Sequence, residues 1–270
     1  MDNRPIGVFD SGLGGLTAVK EIMNLLPNES IVYFGDTGRV PYGTRSKETI
    51  IKYAKQDIRF LLKHNIKAIV IACGTVSSVA LNEAIGESSV PTMGVVEGAV
   101  LGAINATKNK IIGILGTSAT IRSEAYEKAI RAVKDDIKTV SNACPLFVPL
   151  VENGYFKKDN EIAILAAKEY LKPLMEQNVD TIILGCTHYP LLKDVIASVV
   201  GQDVTLIDPG KQAAIALKES LKENNMLSLN KNGEHAFFVS DSSENFSHYA
   251  NFFLGKNINS SVEKIDIETY

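Results

Sequence analysis

Two cysteines stand in matching surroundings. Cys73 ends the run Lys67-Ala68-Ile69-Val70-Ile71-Ala72 and is followed by Gly74-Thr75, while Cys186 ends Asp180-Thr181-Ile182-Ile183-Leu184-Gly185 and is followed by Thr187-His188. A thiol is a general acid and its thiolate a general base, and a free pKa of about 8.5 can be brought towards neutrality by a helix N-terminus or polar partners. Two thiols facing one carbon from opposite sides can do what a single one cannot. One removes a proton, the other delivers one to the far face, and the stereocentre inverts, with the roles exchanged in the reverse direction. Each cysteine precedes a Thr-containing turn and an expected helix start, so a lowered pKa is expected at both. Asp10 and His188 lie at the same strand-end edge and are the candidates to orient the thiols or pass protons to them.

The elements that must hold these groups are legible as alternating patterns. Short β-branched runs occur at Ile6–Phe9, Ser30–Phe34, Ala68–Ala72, Thr92–Val96, Lys110–Leu115, Thr139–Ala143, Thr181–Leu184 and Val204–Ile207. Between them, apolar residues recur at three and four in Leu16–Leu26, Lys47–His64, Ser123–Val133 and Glu161–Gln177. His235–Ser240 reads as a further strand and Glu244–Leu254 as a closing helix. This alternation predicts an α/β fold with mostly parallel sheets flanked by helices. The pattern also repeats. Ile6-Gly7-Val8-Phe9-Asp10-Ser11 is echoed by Ile112-Gly113-Ile114-Leu115-Gly116-Thr117, and 63 residues separate Asp10 from Cys73 where 70 separate Gly116 from Cys186. Two pseudosymmetric lobes are therefore expected, 1–97 with 209–270 and 98–208, with the active site between them. Ligands of open α/β sheets bind at the carboxyl ends of the strands, where both cysteines stand.

Composition narrows the partners. The chain has 270 residues, 45% of them hydrophobic, enough for a large core. Its 28 Lys and Arg against 31 Asp and Glu leave no basic footprint for nucleic acid. Met1 to Pro5, with Asp2 and Arg4, lacks a signal-peptide pattern, and no uncharged apolar run approaches the roughly 18 residues that cross a bilayer. A cytoplasmic location with no membrane partner is expected, and three cysteines without C-x-x-C spacing argue there against disulfides and structural zinc.

Plainer readings of the same residues stay open at this level. A cysteine closing an apolar strand also serves as a small buried filler, a reading the repeated context weakens for Cys73 and Cys186 but not for Cys144, which precedes Pro145. His188 suits a helix cap or a backbone bond, and Asp10-Ser11 suits an N-cap. The glycines of Asp10-Ser11-Gly12-Leu13-Gly14-Gly15 do not complete a G-x-G-x-x-G fingerprint, because Thr17 stands at the third position. They are better suited to letting backbone N–H groups approach a carboxylate.

Three segments carry a resemblance: Gly7 to Gly15, Gly35-Asp36-Thr37-Gly38-Arg39-Val40-Pro41-Tyr42-Gly43, and Gly185-Cys186-Thr187-His188-Tyr189-Pro190-Leu191-Leu192. Together with Phe147-Val148-Pro149-Leu150-Val151-Glu152 they resemble the motifs of glutamate racemases, of the aspartate/glutamate racemase family. The resemblance implies interconversion of L- and D-glutamate without metal or pyridoxal phosphate, supplying D-glutamate for peptidoglycan. It implies Cys73 and Cys186 as the acid/base pair, with Asp10, Glu152 and His188 assisting. It implies a substrate held by Asp10, Ser11, Tyr42, Gly43, Thr75, Thr187 and His188, and a homodimer. One position departs: the family usually reads Cys-Asn-Thr-Ala, and here Gly74 stands for the asparagine. Either the Gly74 backbone N–H approaches the substrate directly or a water fills the vacated space. Two alternatives are weighed against glutamate racemisation: a related racemase acting on aspartate or another acid, and a non-catalytic amino-acid-binding protein of the same fold, which would need neither thiol.

Overall fold

The computed structural model describes residues 1–255 and 262–270, with only the backbone described at 245, 247 and 248. Among the described residues the strands are β1 (Ile6–Asp10), β2 (Ile31–Gly35), β3 (Ala68–Ile71), β4 (Thr92–Gly94) and β5 (Ile111–Gly116). They continue with β6 (Lys138–Ala143), β7 (Thr181–Gly185), β8 (Thr205–Ile207), β9 (His235–Val239) and β10 (Val262–Lys264). Two sheets form, both parallel, in the orders β10-β9-β2-β1-β3-β4 and β6-β5-β7-β8. Helices cover both faces, which is why β1, β2, β3 and β7 are buried from end to end and read as unbroken apolar runs rather than alternating ones.

The internal echo is a structural repeat. In each sheet the first strand of the half, β1 or β5, lies between its two successors, so β6-β5-β7-β8 reproduces β2-β1-β3-β4. The register agrees residue for residue: Ile6 stands beside Ala68 in one sheet, and Ile112 beside Thr181 in the other. After β1 and β5 the chain moves first to one side and then to the other, placing a topological switch point at the carboxyl ends of β1/β3 and β5/β7. Cys73 and Cys186 leave those edges.

Two local expectations are corrected. The run Thr92–Val96 does not stay extended: β4 stops at Gly94, and Val96 begins a helix that runs to Ala106. The helix wins because its small residues let it press on the helix Pro209–Glu223. A Cβ on Gly98 would meet the backbone of Gln212 at 3.1 Å, and one on Gly102 the Gln212 side chain at 2.8 Å. Nor does the helix Ser243–Leu254 close the chain, since β10 follows it and extends the first sheet beside β9. Three residues at an edge, two of them Glu263 and Lys264, carry no apolar run to announce a strand.

Candidate active site

A cavity of about 230 Å³ lies where the carboxyl ends of the two sheets meet. The first half supplies Ser11, Gly43, Cys73, Gly74 and Thr75, and the second supplies Glu152, Cys186, Thr187 and His188. Side chains also cross the seam. The hydroxyls of Thr75 and Thr117 are 3.1 Å apart, Thr17 donates to the Thr187 carbonyl at 3.0 Å, and Thr187 donates to Asp10 at 3.3 Å. All three cysteines are free and buried.

Each thiol has its own surroundings. Cys73 is 3% exposed and donates to the Ser11 hydroxyl at 3.5 Å. Burial, reinforced by the Asp10 charge, pushes this thiol up to about 12, outweighing the help of the Val76 and Ser11 N–H groups. The lowering expected from the adjacent helix start is thus reversed, because that helix, Gly74–Val79, is six residues long and the thiol is sealed from water. Cys186, 8% exposed, lies 3.9 Å from Nδ1 of His188, whose Nε2 is 3.0 Å from Glu152. Burial opposes the charge on His188, yet its bonds to Cys186 and Glu152 prevail and hold the imidazole at about 10. With that direction of shift the imidazole is protonated at neutral pH, beside the Cys186 sulfur.

Two residues assigned from the sequence do not line the cavity. Asp10 is fully buried behind its wall, accepting from the Gly12 N–H at 3.0 Å and from Thr187 and Gly15, and burial raises its pKa. The Tyr42 hydroxyl turns the other way, donating to Asp36 with Asp57 at 3.2 Å. Arg39 joins them, reaching Asp36 at 2.6 Å, Asp57 at 3.1 Å and Gln56 at 2.6 Å. Tyr42 therefore braces the loop that brings Val40, Pro41 and Gly43 to the cavity. Gly74 needs correction as well. No space is vacated beside it for a water, because the carbonyl of Gly185 fills the place a Cβ would take.

A model of the Asp/Glu/Hydantoin racemase family matches residues 16–217. The chain belongs to that family. The glutamate racemase of Geobacter metallireducens is 46% identical over 253 residues, 93% of each chain. Two crystal structures superpose over nearly the whole racemase: a glutamate racemase isoform from Bacillus anthracis, with TM-score 0.94 and 40% identity over 98% of each chain, and the glutamate racemase of Francisella tularensis in complex with D-glutamate, with TM-score 0.93 and 42% identity over 100% of each. By its relatives the chain is an amino-acid racemase.

The cavity of this racemase also holds residues that sequence reasoning passed over. Thr117 lines the cavity and caps the helix Ser118–Ser123 by accepting from the Thr120 N–H at 3.2 Å. The signal was present, because the internal echo sets Thr117 opposite Ser11. Cys144 borders the cavity too, but its thiol points to the Asn142 carbonyl at 3.7 Å and burial pushes its pKa up, so it keeps the structural reading. Among the described residues no cluster of His, Cys, Asp and Glu is arranged to hold a metal, and no helix is long and apolar enough to cross a membrane.

Glu152 is partly exposed, its side chain 37% accessible where that of His188 is 8%. A half-solvated carboxylate orients His188 without carrying the proton, so Glu152→Gln is expected to lower kcat by no more than about tenfold. A loss beyond about a hundredfold in steady-state kinetics would instead make Glu152 a proton-handling group.

Proposed function

We propose that the chain interconverts L- and D-glutamate by a two-thiol mechanism, as a cytoplasmic homodimer that supplies D-glutamate for peptidoglycan. The observation that carries this reading is a small cavity lined by Cys73 from one half of a structural repeat and by Cys186, at the matching strand end, from the other. Its volume falls below the roughly 300–1,000 Å³ of pockets for drug-sized ligands and suits a single amino acid. The lobes in this reading are 1–97 with 209–270 and 98–208.

In the proposed cycle one cysteine, as thiolate, takes the α-proton, and the other, as thiol, protonates the opposite face of the carbanion. The electron pair of the broken C–H bond forms the new one, the first sulfur ends as thiol and the second as thiolate, and the reverse reaction restores both. Cys73, held at about 12, is suited to be the thiol that first delivers a proton, with Cys186, 3.9 Å from Nδ1 of His188, as its counterpart on the other face. When Cys73 must act as base, a substrate ammonium offsets the Asp10 repulsion that adds to the effect of burial on that thiol. Hydroxyls of Ser11, Thr75, Thr117 and Thr187 and the N–H groups at the start of the helix Gly74–Val79 are available to the carboxylates and to the charge that develops on the α-carboxylate. The sequence identity to glutamate racemases supports glutamate over aspartate.

Incubating the purified protein with each glutamate enantiomer in D2O, without added cofactor, tests the reading. Loss of optical activity together with α-deuterium incorporation is expected from either side. Racemisation of aspartate with glutamate untouched would move the assignment to the related acid. Binding without exchange of either acid would leave only the non-catalytic reading.

A further inference from the structure

The loop between β2 and the helix Lys47–Leu62 brings Val40, Pro41, Gly43 and Thr44 to the cavity, and Arg39 stands at its base. Backbone hydrogen bonds fix this loop near its two ends, from the Arg39 N–H to the Asp36 carbonyl at 3.2 Å and from the Arg45 N–H to the Tyr42 carbonyl at 3.0 Å. Side chains add the anchors between. The Arg39 side chain, 11% exposed, donates from Nε to Asp36 at 2.6 Å, from Nη1 to Gln56 at 2.6 Å and from Nη2 to Asp57 at 3.1 Å. Its Cζ lies 4.0 Å over the centre of the Tyr53 ring. Asp36 follows the end of β2, while Tyr53, Gln56 and Asp57 belong to the helix, so one guanidinium ties the loop to two elements of its own half. Glu268, at 3.2 Å, is 55% exposed and adds little.

A charge alone would not serve here. Only a guanidinium presents a rigid fork of donors to several acceptors at once while lying flat on an aromatic ring. On its far side the loop meets the other half of the repeat, where Gly43 presses on Thr117 so closely that a Cβ would come within 2.8 Å of it. The loop is thus tied to one half and stopped by the other. We infer that Arg39 is a positioning residue, whose fork holds Pro41, Gly43 and Thr44 at the distance from which they enclose a bound amino acid, an inference that rests on the glutamate reading of this cavity. Arg39 itself does not line the cavity, and the segment it holds carries no thiol. Binding lost through it is therefore shared by ground state and transition state, and such a loss appears in KM rather than in kcat.

Arg39→Lys in the full chain tests it, since the charge stays and the fork goes. The expected result is a KM for glutamate higher by about tenfold from either enantiomer, with kcat within about threefold of the parent. A merely structural role would lower the thermal midpoint and the fraction of active enzyme and leave KM where it was. Should the lysine variant fail to fold, Arg39→Gln combined with Asp57→Asn removes the guanidinium together with one of its buried carboxylates, and it must show the same rise in KM. Asp57→Asn alone leaves the fork on Asp36 and Gln56, so its KM should stay within about threefold of the parent. An unchanged KM in a folded Arg39 variant, a loss carried in kcat alone, the full rise from Asp57→Asn by itself, or a double variant that no longer folds would each overturn the inference. Failure of the functional reading is distinguishable, because the parent chain would then not racemise glutamate at all.

Discussion

Alanine at Cys73, and separately at Cys186, is expected to abolish measurable racemisation, each lowering kcat by on the order of 10² to 10⁴-fold. Cys73 and Cys186 reach the cavity from matching strand ends of the two halves, and inversion needs both: a single thiol can return a proton only to the face it came from. Because the pair acts as a unit, the double variant should be no slower than either single one. Neither loss should unfold the protein, since each side chain is small and, though packed against the core, is also open to the cavity on one side. Following optical rotation from both enantiomers checks this, and near-normal turnover in either variant would end the two-thiol mechanism. Cys144→Ala is the internal comparison. Its thiol is engaged with the Asn142 carbonyl, so racemisation should persist.

His188 carries the second large effect. Burial opposes its charge, but its bonds to Cys186 and Glu152 raise it to about 10, so in the proposed cycle it serves as the cation beside Cys186 and not as a base. His188→Asn removes that charge and is expected to lower kcat by on the order of a hundredfold. The pH dependence follows from the direction of the shift. The folded-state pKa lies above the ordinary value of 6.5, so the folded protein binds this proton more tightly than the unfolded chain. The stability it contributes is complete below pH 6.5 and is lost as the pH rises through about 10. The parent should therefore lose more thermal stability than His188→Asn between these limits, and its alkaline fall in kcat/KM near pH 10 should be absent from the variant. Parallel stability curves for the two proteins would show that His188 does not titrate in this window.

How much of this was legible beforehand differs by element. The strands carrying the thiols were readable because burial on both faces leaves an unbroken apolar run, and β1, β3 and β7 show it. The helix Val96–Ala106 was not, because Val95 and Val96 favour a strand in isolation, and only the contact of Gly98 and Gly102 with Gln212 decides otherwise. Cys73, Cys186 and His188 line the cavity at the strand ends to which the pattern led, and Thr75 and Thr187, which the resemblance implied, line it as well. Tyr42 does not, because a buried Asp36–Arg39–Asp57 network competes for its hydroxyl, and no local pattern announces partners 6 and 15 residues away.

By itself the sequence determined the alternation of strand and helix, the internal repeat and the pairing of Cys73 with Cys186, because these depend on steric preference and periodicity among near neighbours. Tertiary structure alone decided which groups meet across the repeat and how much water they keep. Thr187 reaches Asp10, Thr117 meets Thr75, and Gly74 rests on Gly185 only because two sheet ends are pressed together. The same closure seals Cys73 beside Asp10 and reverses the pKa shift that its place at a helix start would predict. Desolvation and close approach are properties of surfaces that come into contact, and those surfaces lie far apart along the chain.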